Sequence, residues 1–176
     1  MVDVARFKPK TVYVIYIAAT PEKVWQALVD AEFSRQYFFG FAVKVEPRTG
    51  GAFRILYPDG GVHGSGEVLD WSPPRRLSCT WLIEGMPPFD QMPECIVTYD
   101  IEPAGKAVRL TMTESHSWDV PDAILAGGRS GWPAVLSNLK SLLETGNTLT
   151  LDQQGPPPGM IEAVNKAVAE KPWLAE

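Results

Sequence analysis

With 176 residues, 45% of them apolar and 21% charged, the chain is built like one globular domain with a short appendage, able to bury roughly 70% of its unfolded surface unaided. A net charge of −5 gives no general attraction to a phosphate backbone, and no run reaches the ~20 apolar residues of a transmembrane helix, so neither a nucleic-acid partner nor membrane insertion is expected. The opening MVDVARFKPK lacks a secretory apolar run and the two cysteines, Cys79 and Cys95, fit no pairing pattern, which together predict a reduced cytoplasmic setting.

TVYVIYIAA (11–19) is dense in β-branched and aromatic residues and reads as a strand. TPEKVWQALVD (20–30) carries helix-entry signals: Thr20 as N-cap, Pro21 where a missing N–H is harmless, and Glu22 against the positive helix end. A second short helix is predicted over about 32–37. From FFGFAVKVEP to residue 117, strand-like runs alternate with turns. AFRILY reverses at PDGG, GSGEVLDW ends at Pro73-Pro74, RRLSCTWLIE follows, and ECIVTYDIEP and AVRLTMTESHSW flank a hairpin signature, PAGK. Connections this short join antiparallel neighbours. The expected order is strand, two helices, about six antiparallel strands, then a long helix.

That helix is GWPAVLSNLKSLLETG (131–146), whose Trp132, Val135, Leu136, Leu139, Leu142 and Leu143 recur at three and four and share one face. Gly127, Gly128 and Gly131 interrupt the pattern upstream. PDAILAGG therefore reads as a separate turn or short helix, Pro133 as a first-turn residue of the helix proper, and Gly146 as its stop. Beyond lie a stiff GPPPG linker (155–159) and MIEAVNKAVAEKPWLAE, one more short helix, docked or partly mobile. The predicted division is a folded domain over 9–147 and a Pro-rich linker with a helical tail over 148–176.

ATPEKVWQAL, EVLDWSPPRRLSCTW, VTYDIEPAGKAVRLTMTES and GWPAVLSNLKSLLETG together resemble the family akin to the C-terminal domain of the activator of the Hsp90 ATPase. That family sits in the START-like (SRPBCC) superfamily, with birch-pollen-allergen-like (Bet v-type) proteins and polyketide cyclases. The resemblance covers roughly residues 9–147. It implies an α+β helix-grip fold: a curved antiparallel sheet of about six to seven strands around a long C-terminal helix, two short helices after the first strand, and a cavity between sheet and helix. Members bind lipids, hormones or aromatic polyketides, and some catalyse.

Strand alternation names what would line such a cavity. The inward sets are Phe53, Ile55 and Tyr57; Leu77, Cys79, Trp81 and Ile83; Val97, Tyr99 and Ile101; and Val108, Leu110 and Met112, continuing to Glu114 and His116. Trp132, Leu136 and Leu139 would face them from the helix. Trp25, Tyr37, Phe38, Phe39 and Phe41 would form the far wall. Each of these side chains is also what a packed core needs, and taken singly suits the core better than a ligand contact. The candidate ligand contacts are Trp25, Phe39, Phe53, Ile55, Tyr57, Trp81, Tyr99, Met112, Glu114, His116, Trp132, Leu136 and Leu139.

Glu114 and His116 form the one acid–imidazole pair at useful spacing, the weak candidates for proton transfer. Arg129 reads as a surface residue, or as a partner for Glu114 at the cavity mouth. Ser65 and Ser130 lack the flanking glycines of a nucleophile elbow, GSGEVL fails the dinucleotide pattern at Leu69, and the histidines and cysteines form no local metal motif. No cofactor and no metal are expected.

The leading expectation is therefore binding of a small hydrophobic molecule, aromatic, polyketide-like or lipid-like, by burial at roughly 25 cal/mol per Å². The alternatives are a cyclase or dehydratase-type enzyme using Glu114 and His116, and a chaperone-linked interaction module with Trp173 as its handle. Eukaryotic relatives carry an N-terminal domain that supplies much of the chaperone contact, whereas about ten residues precede the first strand here, which ranks a chaperone partner last. A monomer or homodimer is expected.

Overall fold

The computed structural model describes residues 2–152 and 154–175. Met1, Gln153 within the predicted linker and Glu176 at the end of the predicted tail lie outside the described residues. The chain runs β1 (Lys8–Ile17), α1 (Pro21–Val29), α2 (Ala31–Tyr37), β2 (Ala42–Val45), β3 (Ala52–Leu56), β4 (Val62–Ser72), β5 (Arg76–Ile83), β6 (Cys95–Ala104), β7 (Ala107–His116), α3 (Asp122–Thr145) and α4 (Met160–Glu170). The seven strands form one sheet in the order β1-β7-β6-β5-β4-β3-β2, with every neighbouring pair antiparallel.

The entry signals act as expected. Thr20 Oγ1 accepts from the Lys23 N–H at 3.3 Å with Pro21 at the first helical position, and Asp30 Oδ1 caps α2 by accepting from Glu32 and Phe33 at 2.9 Å each. Register shifts at Pro9/Thr11, Ile55/Leu56 and Val68/Asp70 let the sheet bend, as bulges do. At Gly66 the β4 backbone presses so close to β5 that an added Cβ would overlap the Thr80 carbonyl. Only glycine fits there.

The concave face grips α3. Val135, Leu136, Leu139 and Leu142 pack on Val97, Ile101, Val108, Leu110 and Met112, all buried. The alternation read from the strands holds through this core.

The helix itself differs from expectation. Rather than a turn followed by a helix starting at Pro133, α3 is continuous from Asp122, with Gly127, Gly128, Gly131 and Pro133 inside it. Two glycines are there for closeness rather than for stopping. A Cβ at Gly127 would lie 2.3 Å from Met160 Cε, and one at Gly128 would lie 3.1 Å from Glu114 Oε2. Pro133 removes one helical N–H, but it sits on the exposed side, where water can serve the carbonyl it leaves. Gly146 stops α3 with φ of 80°, as predicted.

The first half of α3 carries a second core. Ile124 and Leu125 pack with Trp118, Val120, Val164 and Ala167, so α4 lies docked on the domain, and Trp173 meets Trp118 edge-on at 5.3 Å.

Candidate functional site

Between the bent sheet and α3 lies a cavity of about 360 Å³. The loop after α2 supplies Phe38, Phe39 and Phe41, β5 supplies Trp81 and Ile83, and α3 supplies Ile124, Gly127, Gly128, Gly131, Trp132 and Val135. The β5–β6 connection adds Phe89, Met92 and Pro93, and α4 adds Met160. The rings pack on one another: Phe38 stacks on Trp132 (6.1 Å, 16°), and Trp81 stands edge-on to Trp132 at 5.4 Å. Phe39 holds φ of 52°, a left-handed backbone that bulky residues rarely adopt and that concentrates at functional surfaces. Gly131 is exposed and Phe38, Phe39 and Met92 are half-buried, so solvent reaches the rim.

One polar cluster breaks this apolar lining. Glu114 is the only carboxylate among the described wall residues, and no lysine or arginine shares the wall. Its Oε2 accepts from Trp132 Nε1–H at 2.9 Å and its Oε1 meets His116 Nε2 at 2.8 Å. Gly128 makes this possible, since any side chain there would crowd the carboxylate. The Cys95 thiol, also in the wall, is pushed up by burial and further by Glu114, which leaves it un-ionised and a poor nucleophile. Across the cavity His63 stacks on Phe41 at 4.6 Å and pairs through Nδ1 with the Tyr57 hydroxyl at 3.0 Å. Burial holds His63 below its ordinary value of 6.5, so it is neutral at pH 7.

Of the candidate ligand contacts named from sequence, Phe39, Trp81, Glu114, His116 and Trp132 meet in this cavity, with Phe38, Phe41, Ile83 and Val97 of the predicted walls. Phe53 and Tyr99 bound a deeper hollow of about 20 Å³, room for about one water. Tyr57 stands behind His63. Ile55, Met112, Leu136 and Leu139 are fully packed core, and Trp25 lies against Trp71, ring centroids 4.8 Å apart. Arg129 pairs with Asp122 at 3.3 Å, not with Glu114. Sequence reading missed His63, Phe89, Met92 and Met160. His63 follows no alternating run because Gly64 and Gly66 interrupt it, and Met160 lies beyond the linker.

Residues 18–144 match the family model described as Activator of Hsp90 ATPase homolog 1-like protein. The chain belongs to this family. Among solved structures similar to this member, protein MLL2253 from Mesorhizobium loti is 31% identical, with a TM-score of 0.59 over 76% of this chain and 96% of that one. DynU16, from the dynemicin biosynthetic locus, is 26% identical with a TM-score of 0.67 over 82% of this chain, which spans half of DynU16. PFC0360w, an Hsp90 activator from Plasmodium falciparum, is 18% identical (TM-score 0.61, 77% of this chain and 96% of that one) and shares the fold. No curated protein sequence matches. The helix-grip expectation and the family resemblance both hold. Among the described residues no helix is long and apolar enough to cross a membrane.

Proposed function

We propose that this protein binds a small, flat, mostly apolar molecule between the sheet and α3, oriented by the Glu114–His116–Trp132 cluster. The observation that carries this reading is an aromatic cavity of about 360 Å³ onto which the Glu114 cluster converges. It falls within the roughly 300–1,000 Å³ of small-molecule sites, which pair apolar walls with a few placed polar groups. A core meant only for stability would close such a space. The similarity to DynU16, whose gene lies in a biosynthetic locus, fits a small-molecule role. Titration with flavonoids, fatty acids and aromatic polyketides, followed by native mass spectrometry and the Trp132 indole signal, tests it. Saturable shifts of Trp132 are expected from at least one class, and silence from all of them ends the reading.

A second reading, proton transfer on the bound molecule, is favoured by the 2.8 Å contact between Glu114 and His116 inside the same cavity. His116→Ala would then abolish turnover while sparing binding. Equal loss of both would leave His116 a positioning role only.

A further inference from the structure

His116 also borders a second hollow, of about 340 Å³ and opposite character. Its walls come from Arg6, from Lys8 and Lys10 on β1, from Trp118 and Asp119 after β7, and from Pro172 and Trp173 in the tail. Among the described wall residues three cations stand against one carboxylate, a local excess of two positive charges on a chain whose net charge is −5. Lys10 pairs with Asp119 at 2.8 Å, and Lys8 Nζ rests on the Ala5 carbonyl at 3.1 Å. Among the described residues neither Arg6 nor Lys8 has a carboxylate partner. The wall also holds two buried nitrogens that lack a hydrogen-bond partner among the described residues, His116 Nδ1 and Trp118 Nε1. Both residues are buried, at 8% and 7% exposed. An indole N–H left unmade in such a place is an exception that asks for its acceptor.

We propose that this hollow is an anion site. It takes a phosphate or carboxylate group among Arg6, Lys8 and Lys10. Trp173, which lines the hollow and touches Trp118, turns aside so that the anion also accepts from the Trp118 indole N–H beside the His116 ring. An oxyanion accepts strongly, which suits the Arg6, lysine and Trp118 donors, and the Arg6 fork matches it geometrically while the lysines act as point charges. The site also reaches the apolar cavity, because the same imidazole holds Glu114 through Nε2. This link rests on the cavity reading above; the anion site does not.

The test is NMR titration of the full chain with sodium phosphate and, separately, sodium acetate, at ionic strength held constant with sodium chloride. The Trp118 indole N–H and the His116 ring signals are followed. Saturable shifts with phosphate alone assign a phosphate-class ligand, and with acetate alone a carboxylate. Arg6 and Lys8 are both exposed, so the Arg6→Gln/Lys8→Gln pair keeps the fold, and it is expected to weaken binding by about tenfold or more. Equal shifts with chloride, no shifts at all, or unchanged affinity in that double variant would overturn the proposal. Such a failure leaves the cavity reading standing, since that is read at Trp132 with uncharged flavonoids.

Discussion

His63 and Glu114 place two different electrostatic demands on one apolar space. The carboxylate is held by an indole and an imidazole, whereas His63 is held only by a phenol and an aromatic stack, and its ring is kept neutral by burial. Because the folded state depresses the His63 pKa, the unfolded chain takes up its proton first as pH falls. Above the ordinary value of 6.5 this group makes stability independent of pH; below it, stability drops until pH passes the lower folded-state value. Thermal melts from pH 7.5 to 5 should therefore show a decline that His63→Gln flattens, and wild-type affinity for an uncharged apolar ligand should fall as pH drops through the lower folded-state value. A decline of equal steepness in the variant would assign it to other groups. Glu114 and His116 were legible in the sequence because β7 alternates without interruption up to His116. Alternation identifies the inward face but not the depth, so Ile55 and Met112, equally inward, turn out sealed in the core.

The glycines of α3 show how one residue type carries opposite meanings. Read as a string, Gly127, Gly128 and Gly131 look like a helix stop, because glycine is a poor helix former by about 1 kcal/mol against alanine. In space Gly127 and Gly128 are where α3 meets Met160 on one side and Glu114 on the other. No local pattern distinguishes these uses, since the neighbours that explain them lie 33 and 14 positions away (127 to 160, and 128 to 114). Gly127→Ala is informative for this reason. The added methyl gains helix propensity while displacing the flexible end of Met160, which lies in its path. The expected result is a urea midpoint changed by less than the equivalent of ~1 kcal/mol, with faster amide exchange in α4 and a wider cavity. Restored slow exchange in the Gly127→Ala/Met160→Ala pair would confirm the contact. A large loss of stability in α3 itself would show that Gly127 answers to the helix backbone and not to the tail.

The two cores make the molecule a gripped helix with a separate clamp. The sheet and the second half of α3 bury the main set, while α4 closes over Trp118, Ile124 and Leu125 and lends Met160 to the cavity. The chain order of the elements and the sequential strand pairs were readable because period-two runs and short turns specify antiparallel neighbours, but the β1–β7 pairing and the role of the tail were not. GPPPG signals a spacer, and whether the helix beyond it docks depends on apolar residues of α3 far back in the chain. Docking rests on a few side chains, chiefly fully buried Val164 and nearly buried Ala167, and one buried valine contributes about 1.5–3 kcal/mol. A carboxylate forced into that position is opposed by more than this, so Val164→Asp should release α4 instead of burying the charge. The main core shares no buried residue with the clamp, so the domain should stay folded. We expect the near-ultraviolet dichroism of the Trp118–Trp173 pair to collapse and the main unfolding transition to remain. A bound apolar ligand should then leave about fivefold faster, the equivalent of ~1 kcal/mol of lost Met160 contact. If the tryptophan signal collapses and the dissociation rate does not change, α4 is no wall of the cavity, and the space between sheet and helix keeps its ligand without it.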